Sequence, residues 1–185
     1  MRADAQRNYD HIVAVASEVF AASGTDASLD EIAKRAGVGP GTLYRHFPTR
    51  ENLVEAAMGN WIDQIRTAVD RAMTSKRTPW QVLLAWLEDF VAHIRRYRGG
   101  PARLIAALAN PGTPMQPRYE LLAQANAEVL ERLRAAGSLR GGVEPEQVCR
   151  LLLGVAAVAD QGRLDTGAVR PMLRIIAQGL LRAGP

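Results

Sequence analysis

The sequence predicts an all-α fold of about nine helices, and three observations carry that prediction. Apolar residues recur three and four positions apart along most of the 185 residues, which is the spacing of one helix face. Convincing alternation of apolar and polar residues is missing, so no strand pattern competes. Cap residues, glycines and prolines fall between the apolar stretches, where helices start and stop.

The first two helices are delimited by residues that begin or end a helix. An apolar stripe over residues 12–20 defines the first helix, and Gly24 ends it. Ser28 and Glu31 then form a capping box, in which each side chain bonds to the other residue's backbone N–H. A second helix is therefore predicted over 28–36.

A third, shorter helix follows a glycine-rich turn. Gly39 is an acceptable N-cap and Pro40 suits the first helical position, which predicts a helix over 40–47. Leu43 and Phe47 lie four residues apart and anchor one face of this helix. The other faces of this helix are therefore predicted to be exposed to solvent.

Longer helices fill the rest of the chain. The segment TPWQ at 78–81 opens one of them with a capping box and a proline at the first position. Two breaks rich in proline or glycine, 110–117 and 137–145, separate the later ones. The predicted helices run from about 50 to the mid-70s, over 78–97, over 101–109, from the first break to about 136, over about 145–162 and over about 167–183.

The second and third helices, joined by a tight Gly-Val-Gly turn, have the arrangement of a helix-turn-helix motif. In that motif the second helix enters the major groove of DNA and the first crosses the backbone. We therefore predict a DNA-binding domain at 1–50 and a larger helical domain at 51–185. A short surface helix in an ordinary helical bundle has the same spacing, so spacing alone leaves both interpretations open.

Positive charge is concentrated in this motif. Residues 1–50 carry six basic and six acidic side chains, yet residues 34–50 hold four bases and no acid. Such a patch attracts phosphates without repelling them, and the start of the capped helix at Ser28 adds a phosphate site of its own. The four bases are Lys34, Arg35, Arg45 and Arg50.

The segment SLDEIAKRAGVGPGTLYRHFPTRENLVEAAM, residues 28–58, resembles the N-terminal region of the TetR family of transcriptional regulators. The resemblance implies an N-terminal helix-turn-helix domain followed by a helical domain that binds a small molecule and dimerises. It also implies DNA contacts on both helices of the motif. These are phosphate contacts at Ser28, Tyr44 and His46, a contact at Thr42, and base-edge contacts that vary between members at Pro40, Gly41 and Arg45.

Three positions differ from the family's commoner residues. Arg50 replaces a lysine, which keeps the charge and adds bidentate capacity. Thr25 stands where an aromatic residue is frequent, so the packing of the first helix is expected to differ, and Gly39 replaces a frequent serine cap. Among the outward residues Arg45 is the best candidate for reading a base, because arginine can bond guanine bidentately.

An aromatic stripe predicts a ligand site in the larger domain. Aromatic residues and a histidine recur at i, i+4, i+7 and i+11 on the helix over 78–97, and Asn126 borders the apolar face of a later helix. An apolar surface with few polar groups suits a small-molecule cavity, but the same stripe is also typical of a plain core. The candidate residues are Trp86, Phe90, His93, Tyr97 and Asn126, with Met115 and Tyr119 at an entrance.

The last two helices predict a dimer interface, because both are apolar over more than one face. Two such helices from each of two chains would form a four-helix bundle. Internal packing is the alternative. The candidate interface residues are Leu151, Leu152, Val155, Ala159, Leu173, Ile176 and Leu180.

Several protein classes are disfavoured. The single cysteine, Cys149, excludes an internal disulfide framework, and as a thiol inside an apolar helix it is expected to be buried and inert. The polar N-terminus and an apolar run of only residues 151–159 argue against a signal peptide and a membrane span. No metal-ligand spacing, nucleophile elbow, P-loop or dinucleotide fingerprint occurs, so we expect no enzyme, no cofactor and no metal.

The sequence therefore predicts a cytoplasmic, homodimeric regulator, a repressor that a small-molecule effector releases from a palindromic operator in double-stranded DNA. Two alternatives stay open at this point. One is a DNA-binding dimer that needs no ligand, and the other is a small-molecule-binding protein whose DNA-binding unit is vestigial.

Overall fold

The computed structural model describes residues 2–23, 25–96, 99–109 and 115–182. This part of the chain contains nine helices, which confirms the all-α prediction. It has one isolated antiparallel β-bridge, between Leu139 and Leu181. The helices are α1 (Arg2–Ser23), α2 (Leu29–Arg35), α3 (Pro40–His46), α4 (Arg50–Thr74), α5 (Pro79–Arg95), α6 (Gly100–Ala109), α7 (Gln116–Ala135), α8 (Pro145–Gln161) and α9 (Thr166–Leu180).

The end of α9 differs most from its predicted position. The periodicity predicts a helix to about residue 183, whereas α9 ends at Leu180 and Leu181 is extended, with φ −87° and ψ 146°. The backbone N–H of Arg182 donates to the carbonyl of Ser138 at 2.9 Å, and that of Arg140 donates to the carbonyl of Leu180, also at 2.9 Å. Pairing with the segment after α7 therefore replaces the last helical turn.

The chain divides into two compact units, Met1–Asp63 and Gln64–Pro185. In the first unit, α2 packs against both α1 and α3. The hydroxyl of Ser17 on α1 donates to the carbonyl of Ala57 on α4 at 3.1 Å and links these two helices. The functional division predicted at residue 50 stays a prediction.

The second unit is arranged around α5, which packs against α6, α7, α8 and α9. Contacts on so many sides explain why α5 is apolar around most of its circumference. An ion pair at 2.7 Å between Arg170 Nε and Glu88 Oε1 adds a polar link from α9 to α5. The buried residues of α5 are Val82, Leu83, Leu84, Trp86, Leu87, Phe90, Val91, His93 and Ile94.

A buried hydrogen-bond relay joins α5, α7 and the start of α8. The indole Nε1–H of Trp86 donates to Oδ1 of Asn126 at 3.1 Å, and Nδ2 of Asn126 donates to the carbonyl of Pro145 at 2.8 Å. Asn126 is fully buried. A buried amide is tolerated because its oxygen and its nitrogen both have partners.

Arginine side chains bind backbone carbonyls at two helix ends of this unit. Arg132 on α7 donates to the carbonyls of Ala72 at 2.5 Å and Ser75 at 2.7 Å, at the end of α4. Arg95 donates to the carbonyls of Ala159 and Leu164, at the end of α8. Two of these carbonyls, of Ser75 and Leu164, lie just beyond the helix ends, and the guanidinium groups tie those ends to a neighbouring helix.

The described residues contain neither a candidate membrane span nor a candidate metal site. Within them, no helix is long and apolar enough to cross a membrane. No group of three or more His, Cys, Asp or Glu side chains in this part of the chain is arranged to hold a metal ion.

The relay through Asn126 predicts a specific loss of stability. Replacing Asn126 with leucine leaves the buried Trp86 N–H without its acceptor and removes the bond to the Pro145 carbonyl, which is expected to lower the free energy of unfolding by about 1–3 kcal/mol. Urea unfolding at fixed protein concentration measures the change. Gln124→Leu, an exposed change on the same helix, is the control and is expected to stay within about 0.5 kcal/mol. Equal losses in both variants would contradict the relay.

Candidate functional site

Short-range interactions set the start of α2 and the turn between α2 and α3, at the residues where the sequence predicts them. Ser28 is the N-cap of α2, and its Oγ accepts from the N–H of Glu31 at 3.5 Å, which is one half of the predicted capping box; the Glu31 carboxylate pairs with Arg35. Gly37 has φ +64°, in the left-handed region that favours glycine. The N–H of Val38 then donates to the carbonyl of Ala33 at 3.0 Å and closes the end of α2.

One face of α3 is fixed in the core of the first unit, and the rest is presented outward. Leu43 and Phe47 are buried, as the four-residue spacing predicts. Pro40 and Gly41 are exposed at the start of the helix, and Tyr44 leaves 47% of its surface accessible. The remaining candidates for DNA contact on α3 are the exposed Arg45 and the half-buried Thr42 and His46.

The basic residues of α2 are exposed, but one of them has an acidic partner. Lys34 and Arg35 both lie on the surface, and Arg35 Nη2 pairs with Glu31 Oε1 at 2.7 Å. Both side chains of this pair are about half exposed, at 56% and 44%. An exposed i,i+4 pair is worth only about 0.3–0.5 kcal/mol, so Arg35 can exchange its partner for a phosphate at little cost.

Arg50 has a role that its charge alone does not predict. Its Nη1 donates to the carbonyls of Thr25 at 3.1 Å and Ala27 at 2.6 Å. Arg50 thereby holds the segment before α2 from the first turn of α4. The contact between Arg50 and DNA stays a prediction, as do the contacts of the other DNA candidates.

Tyr9 is a neighbour of α3 that the sequence patterns did not single out. Its ring centroid lies 4.9 Å from that of Phe47 and 6.2 Å from that of His46, in a T-shaped arrangement with the imidazole. The signal was present, because Tyr9 precedes Ile12 by three residues and so extends the apolar stripe of α1 by one turn. Tyr9 covers the end of α3 from which His46 projects.

The structure brings the predicted aromatic stripe together, but in a packed core. Trp86 and Phe90 are buried with ring centroids 5.6 Å apart, and Asn126 joins them through its bond to the indole. Tyr119 is also buried, which raises the pKa of its phenol, and Met115 is half-buried as the N-cap of α7. Tyr97 lies outside the described residues. Whether any of these residues contacts a ligand stays a prediction.

His93 lines a depression between α4 and α5, and Trp86 lines the adjacent one. Burial, and secondarily the charge of Arg96, lowers the pKa of His93 to about 4. The imidazole is therefore neutral at physiological pH. Cys149 is buried as predicted, and burial raises the pKa of its thiol to about 12. At that pKa the nucleophilic thiolate is essentially absent.

The candidate interface residues of α8 and α9 fall on two faces. Four of them are buried within the single chain, so they have almost no surface left for a partner: Leu152, Ala159, Leu173 and Leu180. The other three retain surface: Leu151 is 54% exposed, and Val155 and Ile176 are half-buried. The outward faces carry two more exposed apolar residues, Val158 at 56% and Ile175 at 69%.

Two family models match the chain. One, described as bacterial regulatory proteins of the tetR family, matches residues 12–57. The other, described as the C-terminal domain of SbtR-like transcriptional regulators, matches residues 78–182, which is more than half of the chain.

Individual transcriptional regulators are also similar in sequence to this chain. The transcriptional repressor KstR of Mycolicibacterium smegmatis is 37% identical over 79 residues, covering 42% of this chain and 37% of that protein. The transcriptional activator FasR of the same species is 36% identical over 86 residues, covering 44% and 39%. The chain thus spans about two-fifths of the length of these curated relatives.

A solved structure extends the similarity to nearly the whole chain. The crystal structure of the TetR transcriptional regulator SCO0520 from Streptomyces coelicolor superposes with a TM-score of 0.70 at 31% identity. The match covers 95% of this chain and 99% of the other.

The packing of Tyr9 generates a prediction for the first unit. Tyr9→Ala removes the ring contact with Phe47, and we expect it to lower the free energy of unfolding by about 1–3 kcal/mol. DNA affinity is expected to fall as well, because His46 loses a ring that holds it. Thermal unfolding and a DNA-binding titration measure the two effects. Tyr9→Phe keeps the ring and is expected to retain both properties, so equal behaviour of the two variants would contradict the packing role.

Proposed function

Since this chain belongs to the TetR family of transcriptional regulators, we propose that it is a homodimeric repressor that binds a palindromic operator and is released by a small molecule. The observation that carries the proposal is the outward surface of α3. A seven-residue helix is anchored by Leu43 and presents arginine, tyrosine and threonine side chains with no acid among its residues. That combination suits entry into a major groove lined by phosphates.

The side chains of α3 divide into two groups by what they can recognise. Arg45 is exposed and has the fork geometry that bonds two acceptors of guanine, so we assign it a base contact. Tyr44 and His46 carry groups that hydrogen-bond phosphate oxygens, and those contacts set position without reading sequence. Lys34, Arg35 and Ser28 on the preceding helix add further phosphate contacts.

Dimerisation is supported by the outward apolar faces of α8 and α9. Leu151, Val158 and Ile175 each expose more than half of their surface. Apolar area of this kind on two neighbouring helices is best accounted for by a partner surface, and two-fold pairing would bury the same residues of both chains. A two-fold dimer presents two copies of α3 and therefore requires an operator with two inverted half-sites.

Release by a ligand requires a connection between the second unit and α3, and α4 supplies one. This helix starts at Arg50, shortly after α3, and continues without a break to Thr74. A ligand that displaces α4 would alter the separation of the two reading helices. The coupling is reciprocal, so a ligand that weakens DNA binding by the typical 1–3 kcal/mol (about 5–150-fold) must bind the DNA-bound form less tightly by the same factor.

A ligand-independent DNA-binding dimer is the second candidate. It is favoured by the packed state of the aromatic core, where Trp86 and Asn126 already satisfy each other. Screening compounds for thermal stabilisation together with loss of DNA affinity separates the two candidates.

Sequence-specific binding is tested first, by letting the purified protein select fragments from random and genomic DNA at near-physiological salt. Enrichment of an inverted repeat supports a regulator, and a transcription assay on the enriched promoter then separates repression from activation. Absence of any enriched sequence contradicts sequence-specific binding and favours a small-molecule-binding protein with a vestigial DNA-binding unit.

The division of labour on α3 is testable by two substitutions. Arg45→Ala is expected to reduce discrimination against a mutated half-site by about 1–3 kcal/mol, because it removes a bidentate base contact. Tyr44→Phe is expected to weaken binding about equally on specific and scrambled duplexes, because it removes a phosphate contact. Titrations on both duplexes measure the difference. Equal losses on the two duplexes for both variants would refute the division.

The dimer surface is testable by placing a charge on it. Ile175→Asp is expected to shift the protein from dimer to monomer in sedimentation experiments and to lower operator affinity by at least about tenfold, because a buried, unpaired carboxylate is strongly unfavourable. Ile105→Asp is the matched control, since Ile105 is an exposed apolar residue, 38% accessible, on α6. Dimers that persist in the Ile175 variant would contradict the proposed interface.

A further inference from the structure

A groove in the second unit is lined on one side by two members of the predicted aromatic stripe, Trp86 and His93. It runs between the C-terminal part of α4 and α5, and it consists of two depressions of about 370 Å³ and 280 Å³. The two depressions share Ala68, Arg71 and Asp89, so they lie next to each other along the two helices, with the Arg71–Asp89 pair where they meet. Each is close to or within the size range of small-molecule sites.

The groove is lined mainly by small apolar side chains. Ile65 and Ala68 of α4 lie opposite Ala92 of α5 in the larger depression. Ala72 of α4 lies with Ala85, Val82 and Trp86 of α5 in the smaller one. Alanines from both helices leave room between the helix backbones, and the surface they leave is suited to a hydrocarbon chain.

The described rim carries more positive than negative charge. Arg71 and Arg96 border the larger depression, and Arg71 and Arg77 border the smaller one, whereas Asp89 is the acid of both. His93 adds no charge, because its imidazole is neutral at physiological pH. A ligand of this groove is therefore expected to be an anion.

The present partners of two of these arginines are weak ones. Arg71 Nη2 lies 3.4 Å from Asp89 Oδ2, and the two side chains are 66% and 42% exposed. Arg96 Nη1 donates to the amide oxygen of Gln64, a neutral acceptor. Guanidinium groups bind carboxylates bidentately and about twice as strongly as neutral acceptors, so a ligand carboxylate offers both arginines a better partner.

The aromatic core offers no comparable site. Trp86 and Asn126 are hydrogen-bonded to each other and buried, and Phe90 is fully buried beside them. A ligand there would have to break a satisfied buried bond, whereas the groove is already open to solvent.

We propose that the effector is an elongated amphipathic carboxylate that lies in the groove between α4 and α5, with its carboxylate between Arg71 and Arg96 and its apolar chain on the alanine floor. This assignment rests on the proposed function for its regulatory consequence, but the binding site itself does not depend on it. On binding, Arg71 exchanges Asp89 for the ligand. That exchange alters how α5 holds α4, the helix that follows the DNA-reading helix α3.

The test is calorimetric titration of the full-length protein with decanoate. Decanol and decyltrimethylammonium, which have the same chain with a neutral or a cationic head, are the ligand controls. We expect decanoate to bind and the other two to bind at least about tenfold more weakly. Equal affinity for all three probes would overturn the anion assignment.

Four variants locate the site. Arg71→Gln and Arg96→Gln are expected to weaken decanoate binding about tenfold, because each removes a charged donor. Ala92→Leu fills the exposed edge of the floor and is expected to abolish binding. Asp89→Asn removes the repelling carboxylate and is expected to tighten binding a few-fold. Arg66→Gln, an exposed arginine on the same helix outside the groove lining, is the control and is expected to bind as the unmodified protein does.

DNA titrations of the same proteins separate failure of the site from failure of the function. Decanoate binding that responds to these variants but leaves operator affinity unchanged supports the site and overturns its regulatory role. Normal operator binding with no decanoate binding, or with binding indifferent to Arg71, Arg96 and Ala92, overturns the site and leaves the proposed function standing. Absence of an operator with intact decanoate binding overturns the proposed function alone.

Discussion

Arg132 of α7 closes the end of α4, where its guanidinium donates to the carbonyls of Ala72 and Ser75. Helix C-termini leave their last carbonyls without intrahelical partners, and a planar cation with several donors can satisfy two of them at once. Because those carbonyls lie beside the groove between α4 and α5, the geometry of that groove depends on this contact. Arg95 does the same at the end of α8, through the carbonyls of Ala159 and Leu164.

Such contacts also mark the limit of sequence-based reasoning. The α2–turn–α3 unit was predictable because its determinants are local: Ser28 caps, Gly37 turns and Pro40 restarts the helix within a few residues. The partners of Arg50 and Arg132 lie more than twenty residues away in sequence, and charge alone gives no sign of them. A single sequence does not distinguish an arginine that binds phosphate from one that binds backbone carbonyls at the end of a helix.

The apolar stripes of α8 and α9 show a second limit of sequence-based prediction: they locate the helices but do not tell which apolar face is buried within the chain. Periodicity places apolar residues on α8 and α9 correctly, yet it merges two sides of each helix. Leu152 and Leu173 complete the core of one chain, while Leu151 and Ile175 face outward. Helices that are apolar on two sides can serve folding with one side and association with the other, and only the packing of their neighbours tells which is which.

The arginines that bind carbonyls change the meaning of the protein's basic isoelectric point of about 9.7. Arg50, Arg95, Arg132 and Arg140 each donate from their guanidinium groups to backbone oxygens, so part of the positive charge is already used within the fold. The number of counterions displaced from DNA is set by the mobile surface charges and not by the total. The salt dependence of DNA binding is therefore expected to be shallower than the total of lysine and arginine side chains suggests.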